Sequence, residues 1–420
     1  MSGAPPLRLV IAGSPDHGKS TLIGRLLIET GAIDAERLAE IRRRSAEAGL
    51  EDQWAFLVDQ FESERVEGLT IDTAQVFFRS RNRAFVLIDV PGQAEFLRNM
   101  ITGATRAEAA LLIVSVDEGL AEQTRRHALL LALLGIERVV VACNKMDAAG
   151  FSRERFAEVE ADVRACLTSV ALEPLCTIPI SASRGDNVLL PSSAMPWYSG
   201  PTLVEAIEGI TVAAPADFSA RFVVQDAYTF AGRPCAAGRL LSGRLSEGER
   251  VLVYPAAAPG RVREIVRFPV RHDAVEAGEC VALALESDEG EATQPERGSV
   301  VVPAARSAAP SVSRAVAGRV FWWGEGPLRR GERLLLRCSV QETSASVTAI
   351  LRTIRSATLE VVEQEADRLD APDVGDIVLA ADREIVTEPF HRLPALGRFV
   401  LERNASAVGA GIILTEPPPL

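Results

Sequence analysis

The sequence predicts an α/β domain with a doubly wound, mostly parallel sheet, followed by two small all-β barrels. Three observations carry that prediction. The apolar run at residues 7–12 breaks into Gly13-Ser14-Pro15-Asp16-His17-Gly18-Lys19-Ser20, a G-x-x-x-x-G-K-S turn from strand to helix. Apolar runs of strand length then alternate with helical periodicity up to about residue 212. From Phe218 the pattern changes to short strands separated by glycine turns. The implied domains are 1–212, 217–303 and 311–420, parted by the Ala/Pro-rich stretches 211–217 and 303–310.

Bulk composition narrows the class. At 420 residues, 24% charged and 47% apolar, the chain is that of a soluble protein with several cores. No stretch is apolar enough to span a bilayer, and the N-terminus MSGAPPLRLV lacks a basic, apolar, cleavable signal, so a cytoplasmic protein without a membrane partner is expected. The six cysteines are scattered without a C-x-x-C pair, which reads as free thiols and neither a disulfide frame nor a zinc site. A net charge of −12 repels nucleic acid, and no nucleic-acid partner is expected.

The glycine-rich turn sets the chemistry. Glycines let consecutive backbone N–H groups converge on phosphate oxygens where a Cβ would obstruct. Residues Gly13, Ser14, Pro15, Asp16, His17 and Gly18 form that cradle, and the helix expected from Thr21 offers its positive end to the same anion. Lys19 is placed to reach the β- and γ-phosphates, and the Ser20 hydroxyl to ligate Mg²⁺. The charged segment 34–51 reads as a surface helix. Its Arg42-Arg43-Arg44 run is surrounded by Glu36, Glu40, Glu47 and Glu51, which favours a solvated face over a nucleic-acid patch.

Further elements fall in a fixed order. Thr70, within ERVEGLTID, is the candidate switch residue, closing on Mg²⁺ and the γ-phosphate before hydrolysis and releasing them after. Residues 75–78 and 84–88 read as paired strands, the second ending in Asp89-Val90-Pro91-Gly92-Gln93. Asp89 would hold Mg²⁺ through water, Gly92 would bring its N–H to the γ-phosphate, and Gln93 would orient the attacking water. After strand 109–117 and the helix carrying 129–134, strand 138–143 delivers Asn144-Lys145-Met146-Asp147. A carboxylate there accepts two N–H bonds from the guanine edge that adenine cannot supply, and an unpaired buried acceptor is costly. Asn144 and Lys145 brace this loop. Strand 175–180 ends in Ser181-Ala182-Ser183, whose backbone is placed to meet guanine O6. Together these boxes specify a P-loop domain that binds GTP and GDP with Mg²⁺, with Lys19, Thr70 and Gln93 as catalytic candidates.

In the strand-rich half, GRLSEGER at 243–250 is echoed by GPLRRGER at 326–333, which fits two barrels in series. The pair Trp322-Trp323 reads as one side chain in a core and one at an interface.

These residues resemble the translational GTPases of the elongation factor Tu class, and more closely the large, GTP-binding subunit of bacterial sulfate adenylyltransferase. The closer likeness rests on GSPDHGKSTLIGRLL, ERVEGLTID, RNMITGA, QTRRH, ISASRGDNV, MPWYSGPTL, VVQDAYTFAGRPCAAGRLLSG, GPLRRGERLLLR and GRFVLERNASAVGAGII, and covers essentially the whole chain. The resemblance implies that Lys19, Ser20 and the loop glycines hold phosphate, that Thr70 and Asp89 serve Mg²⁺, and that Asn144, Lys145, Asp147 and Ser181 hold guanine. It implies that GTP hydrolysis drives adenylylation of sulfate to adenosine 5′-phosphosulfate (APS) and pyrophosphate. That transfer would take place on a separate small catalytic subunit, in a heterodimer or higher assembly. Two departures stand out. Asp16-His17-Gly18-Lys19 follows the elongation-factor spelling where the subunit family usually has Asp-Asp-Gly-Lys, and Gln93 stands where histidine is usual. No second phosphate loop is visible, so no fused kinase domain is expected. Two alternatives share the scaffold: a translation factor delivering aminoacyl-tRNA, and a divergent GTP-dependent regulator of a specialised pathway.

Overall fold

The computed structural model describes residues 6–33, 75–89, 107–211, 219–230, 233–267, 270–287, 292–293, 295–304 and 309–414. The expected surface helix at 34–51, Thr70, Gly92, Gln93 and most of the linker at 211–217 lie outside the described residues. The chain divides near residue 212 into two compact units.

In the first unit a six-stranded sheet has the order β2-β3-β1-β4-β5-β6. Its strands are β1 (Leu7–Gly13), β2 (Gln75–Arg79), β3 (Ala84–Asp89), β4 (Ala109–Ser115), β5 (Val139–Asn144) and β6 (Pro174–Pro179). All pairings are parallel except β2 with β3, so only the edge strand runs the other way. β4 and β5 are buried along their whole length, which is why they read as unbroken apolar runs and not as alternating ones. Chain order reverses at β1, which has β3 on one side and β4 on the other, and the crevice for a ligand in such sheets opens at the strands' carboxyl ends at that point.

Among the described residues four helices serve this sheet: α1 (Lys19–Glu29), α2 (Glu122–Leu133), α3 (Arg153–Ser169) and α4 (Leu203–Glu208). α1 buries Leu22, Ile23, Leu26 and Leu27, one face at helical spacing, against Leu9, Ile11 and Ile113. α3 starts where the Ser152 hydroxyl accepts the Arg155 N–H at 3.2 Å. α4 starts in a capping box, the Glu205 carboxylate accepting the Thr202 N–H at 2.8 Å. None of the described helices is long and apolar enough to cross a membrane.

Several boundaries differ from the sequence reading, among them strands 109–117 and 175–180, which run over Ala109–Ser115 and Pro174–Pro179, and two of the differences bear on the site. α1 begins at Lys19 and not at Thr21, because the left-handed backbone of Gly18 (φ 88°) completes the turn and releases the helix at once. β5 runs on into Asn144, which pairs with Ser115 of β4, so the first residue of the N-K-x-D box belongs to the sheet.

The second unit is antiparallel. One closed sheet passes through Ala258–Arg267, Arg250–Tyr254, Val300–Pro303, Arg221–Phe230, Arg233–Ser242 and Cys280–Glu286, which pairs back with the first of these strands. The other passes through Arg333–Cys338, Arg398–Arg403, Ser406–Ile413, Ser311–Trp322, Val374–Thr387 and Gln341–Ile354, which again returns to its start. Each therefore closes as a six-stranded barrel without a free edge among those strands. Phe222, Leu240, Val262 and Leu283 fill the first, and Val320, Trp322, Leu336 and Phe399 fill the second.

The repeated G-E-R segment is a shared turn. Gly248 and Gly331 take left-handed backbones (φ 81° and 83°), and their N–H groups donate at 2.7 Å to the carbonyls of Val262 and Val347. The following glutamates close the turn the same way, Glu249 accepting the Ser246 N–H at 3.0 Å and Glu332 the Arg329 N–H at 3.1 Å. Trp322 is wholly buried and donates Nε1–H to the Gly326 carbonyl at 2.8 Å, whereas Trp323 is half-buried and donates to the Ala407 carbonyl at 3.0 Å. Between the barrels, Val223, Val300 and Val302 pack with Val386, Leu393 and Leu396. Beside them Arg221 donates Nε–H to Glu388 at 2.8 Å, with both side chains almost fully buried.

Candidate nucleotide-binding site

At the carboxyl end of β1 the chain enters the glycine-rich turn. A Cβ at Gly13 would stand 2.5 Å from the Ile113 carbonyl oxygen of β4, and one at Gly18 would stand 2.4 Å from Asn144 Nδ2. Only glycine lets the turn lie so close to its neighbours. The Lys19 ammonium folds back over the turn, donating to the carbonyls of Gly13 at 2.8 Å and Ser14 at 3.0 Å. A cavity of about 610 Å³ opens beside it, lined by Pro15, Asp16, Gly18, Lys19, Ser20 and Thr21 on one side. Asn144, Lys145, Asp147, Ala148 and Ser183 line the other. Residues from motifs more than a hundred positions apart thus share one cleft.

Asn144 is the strut between these walls. Its Nδ2 donates to the His17 carbonyl at 2.9 Å, and its Oδ1 accepts the Ala182 N–H at 2.9 Å. Lys145 takes a left-handed backbone (φ 65°), which turns the chain out of β5 into the Asp147 loop. That loop closes through the Phe151 N–H on the Met146 carbonyl at 2.7 Å, and the Trp197 indole N–H donates to the Phe151 carbonyl at 3.0 Å. Asp147 Oδ2 lies 3.5 Å from the Ser183 hydroxyl. Its Oδ1 is buried and accepts no hydrogen bond from the described residues. A buried, unsatisfied carboxylate oxygen on a cavity wall is a strong acceptor site for a ligand N–H.

The Ser181-Ala182-Ser183 box is only partly presented. Ser181 and Ala182 are buried, and the Ala182 N–H is committed to Asn144, so Ser183 is the member that lines the cavity. His17 likewise faces inward, its ring nitrogens 3.4 Å from the Ile113 carbonyl and 3.3 Å from a Glu118 oxygen. Asp89 ends β3 opposite Ile11 of β1, which brings its backbone to the same end of the sheet. Behind the cradle, His127 on α2 is fully buried. Burial, followed by the electrostatic influence of Lys19, His17 and Arg126, pushes its pKa down to about 3, so the ring is neutral.

Two side chains outside the nucleotide boxes also hold this architecture. Trp197 belongs to MPWYSGPTL, which the sequence marks only as a family segment. Arg25 is on α1, donating Nε–H to the Ala182 carbonyl at 3.0 Å and Nη2–H to the Ser183 carbonyl. An arginine amid the polar positions of an amphipathic helix gives no sequence signal of such a contact.

The chain is similar to known proteins along its length. Residues 5–213 match the elongation factor Tu GTP binding domain, and residues 315–414 match the GTP-eEF1A C-terminal domain-like family. The chain is similar to elongation factor 1-alpha of Pyrobaculum islandicum, at 32% identity over 99% of this chain and 95% of that protein. It is 35% identical to sulfate adenylyltransferase subunit 1 of Citrobacter koseri, over 97% of this chain and 86% of that one. It is also 36% identical to the bifunctional enzyme NodQ of a Rhizobium species over 97% of its own length, but spans 63% of that protein.

The chain therefore belongs to the elongation factor Tu superfamily of GTP-binding proteins, with a GTPase domain followed by two antiparallel barrels. Within that superfamily it falls among the GTPase subunits of the sulfate adenylyltransferase family.

Proposed function

We propose that this chain binds and hydrolyses GTP, and that hydrolysis drives formation of APS and pyrophosphate from ATP and sulfate on a separate, smaller catalytic subunit. The observation that carries the nucleotide reading is the pairing of Lys19 with the unsatisfied Asp147 Oδ1 across one cavity. An ammonium at one end suits phosphate, and an orphan carboxylate oxygen at the other suits the N1 and 2-amino hydrogens of guanine. The similarity to sulfate adenylyltransferase subunit 1 supports the sulfate client and a partner subunit.

In this reading Gly13, Ser14, Pro15, Asp16, His17 and Gly18 offer backbone to the phosphates, Lys19 neutralises the β- and γ-oxygens, and Thr21 continues the helix that faces them. Asn144, Lys145, Asp147 and the 181–183 loop hold the base. Ser20, Asp89 and Thr70 would hold Mg²⁺, which supplies positive charge at the bridging and terminal phosphate oxygens when bound. The fit is supported by Ser20 lining the cavity directly after Lys19. Gly92 donates to the γ-phosphate and Gln93 orients the water that attacks it. Water adds to the γ-phosphorus, the β–γ bridging oxygen leaves on GDP, and inorganic phosphate is released. The domain limits are 1–212, 217–303 and 311–420, and the assembly is a cytoplasmic heterodimer or a multiple of one.

The test is GTP turnover by the chain alone and with the small catalytic subunit of its own source, with ATP and sulfate present. Turnover raised by the partner, with APS formed in step with GTP consumed, is expected. Turnover indifferent to partner, ATP and sulfate would overturn the coupling. A second reading, delivery of aminoacyl-tRNA, is favoured by the likeness to elongation factor 1-alpha over 99% of the chain. The net charge of −12 weighs against it, and salt-sensitive copurification of tRNA would support it.

A further inference from the structure

We infer that Arg25 is a positioning residue for base selectivity, aiming the Ser183 N–H at the 6-position of the purine. The inference rests on the GTP reading above and adds a division of labour within it.

α1 carries Lys19 and Ser20 at its start and Arg25 about 9 Å further along its axis. From there the guanidinium grips two successive carbonyls of one loop, Ala182 at 3.0 Å and Ser183, while Nη1 lies 3.5 Å from Glu29 Oε1. The side chain is only 14% exposed, so these bonds are shielded from competing water. A planar fork of donors holds two carbonyls in a way a single ammonium does not.

Fixing a carbonyl fixes the N–H of the same peptide. In a planar trans peptide the two point in opposite directions, and the 182–183 bond is not among the cis bonds of the chain. With the Ala182 carbonyl held by α1, the Ser183 N–H points away from α1. The peptide on either side is tied as well: the Ala182 N–H is bonded to Asn144, and the Arg184 N–H donates to Ser181 Oγ at 3.3 Å. That leaves the Ser183 N–H as the donor of a loop residue that lines the cavity. An N–H donates to guanine O6 and opposes the donating 6-amino group of adenine. Asp147 reads N1 and the 2-amino group from the other side. Selectivity at the 6-position therefore depends on Arg25, and selectivity at the 2-position does not.

Competition binding with GDP, IDP and ADP separates the two, because IDP keeps O6 and N1–H but lacks the 2-amino group. In Arg25→Ala, GDP and IDP are expected to weaken together by about tenfold with ADP nearly unchanged, a loss the size of one hydrogen bond. The GDP/IDP ratio stays at its wild-type value and the IDP/ADP ratio falls. Arg25→Lys, which holds one carbonyl of the two, is expected to recover part of the IDP/ADP ratio and keeps a readout should the alanine variant fail to fold. Equal weakening of all three nucleotides would overturn the inference, since a merely structural residue would do that. So would unchanged ratios in both variants. A wild-type chain with no preference for GDP over ADP would instead overturn the guanine reading itself, before any variant is compared.

Discussion

Lys19 and Asp147 mark the two ends of the cleft, and each supports a sharp expectation. Removing the Lys19 ammonium deletes charge-assisted bonds to phosphate worth about 1.5–3 kcal/mol apiece. Lys19→Ala is expected to weaken GTP and GDP at least a hundredfold in equilibrium binding, and unchanged affinity would show that the glycine turn holds no phosphate. Asp147→Asn exchanges an acceptor for a donor at the oxygen that has no partner among the described residues. Its preference should move from guanine to xanthine nucleotides, whose 2-oxo group needs a donor; continued selectivity for GDP over XDP in competition would refute the base-reading role. These residues were legible because the chemistry demands particular residue types at fixed spacing. Arg25 was not, since its partners are backbone carbonyls and carbonyls leave no trace in a sequence. The place of the His17 ring, turned into the fold against the Ile113 carbonyl and Glu118, was not legible either, because the spelling of the loop says nothing about where a side chain points.

At the level of elements, α2 carries a buried pH dependence. His127 has its pKa depressed to about 3 by burial and by the electrostatic influence of Lys19, His17 and Arg126. In the unfolded chain the ring takes up a proton near pH 6.5, while the folded chain resists it down to about pH 3. Stability from this group is complete above the unfolded value and is lost as pH falls between them, by about 1.4 kcal/mol per pH unit. Between pH 7 and pH 5 that amounts to about 2 kcal/mol, and His127→Phe should abolish it. Urea unfolding of both forms at the two pH values checks this, and equal losses in both would contradict it. In the barrels, Glu388→Gln removes the buried carboxylate to which Arg221 donates and is expected to cost roughly 3–5 kcal/mol in denaturant unfolding. Replacing both partners with leucine should cost much less, and a double variant as unstable as the single one would show that the pair is not the cause. The turn glycines Gly248 and Gly331 were legible as a repeated spelling, because a left-handed turn has few solutions. The Arg221–Glu388 pair was not, since the two residues are joined only by the folding of two barrels, 167 positions apart in the chain.

For the whole molecule, the order of parts could be read from periodicity alone: unbroken apolar strands for a sheet covered on both faces, then alternating strands with glycine turns for barrels. What periodicity could not supply was closure, because the pairing of Ala258–Arg267 with Cys280–Glu286 and of Arg333–Cys338 with Gln341–Ile354 depends on register between distant strands. The client of the GTPase was legible only through resemblance, in segments such as MPWYSGPTL. The structure gives one of those residues, Trp197, a place on the loop that carries Asp147.

The central claim is that a nucleotide read by Asp147 powers APS formation on another subunit, and a change of base tests it most directly. The Asp147→Asn chain would be mixed with the small catalytic subunit, ATP and sulfate, and APS measured with GTP or XTP as the added triphosphate. APS formation driven by XTP and not by GTP is expected, the reverse of the wild-type pattern. APS formed at the same rate with either triphosphate, or with neither, would contradict the claim, because the energy would not then be entering through this site.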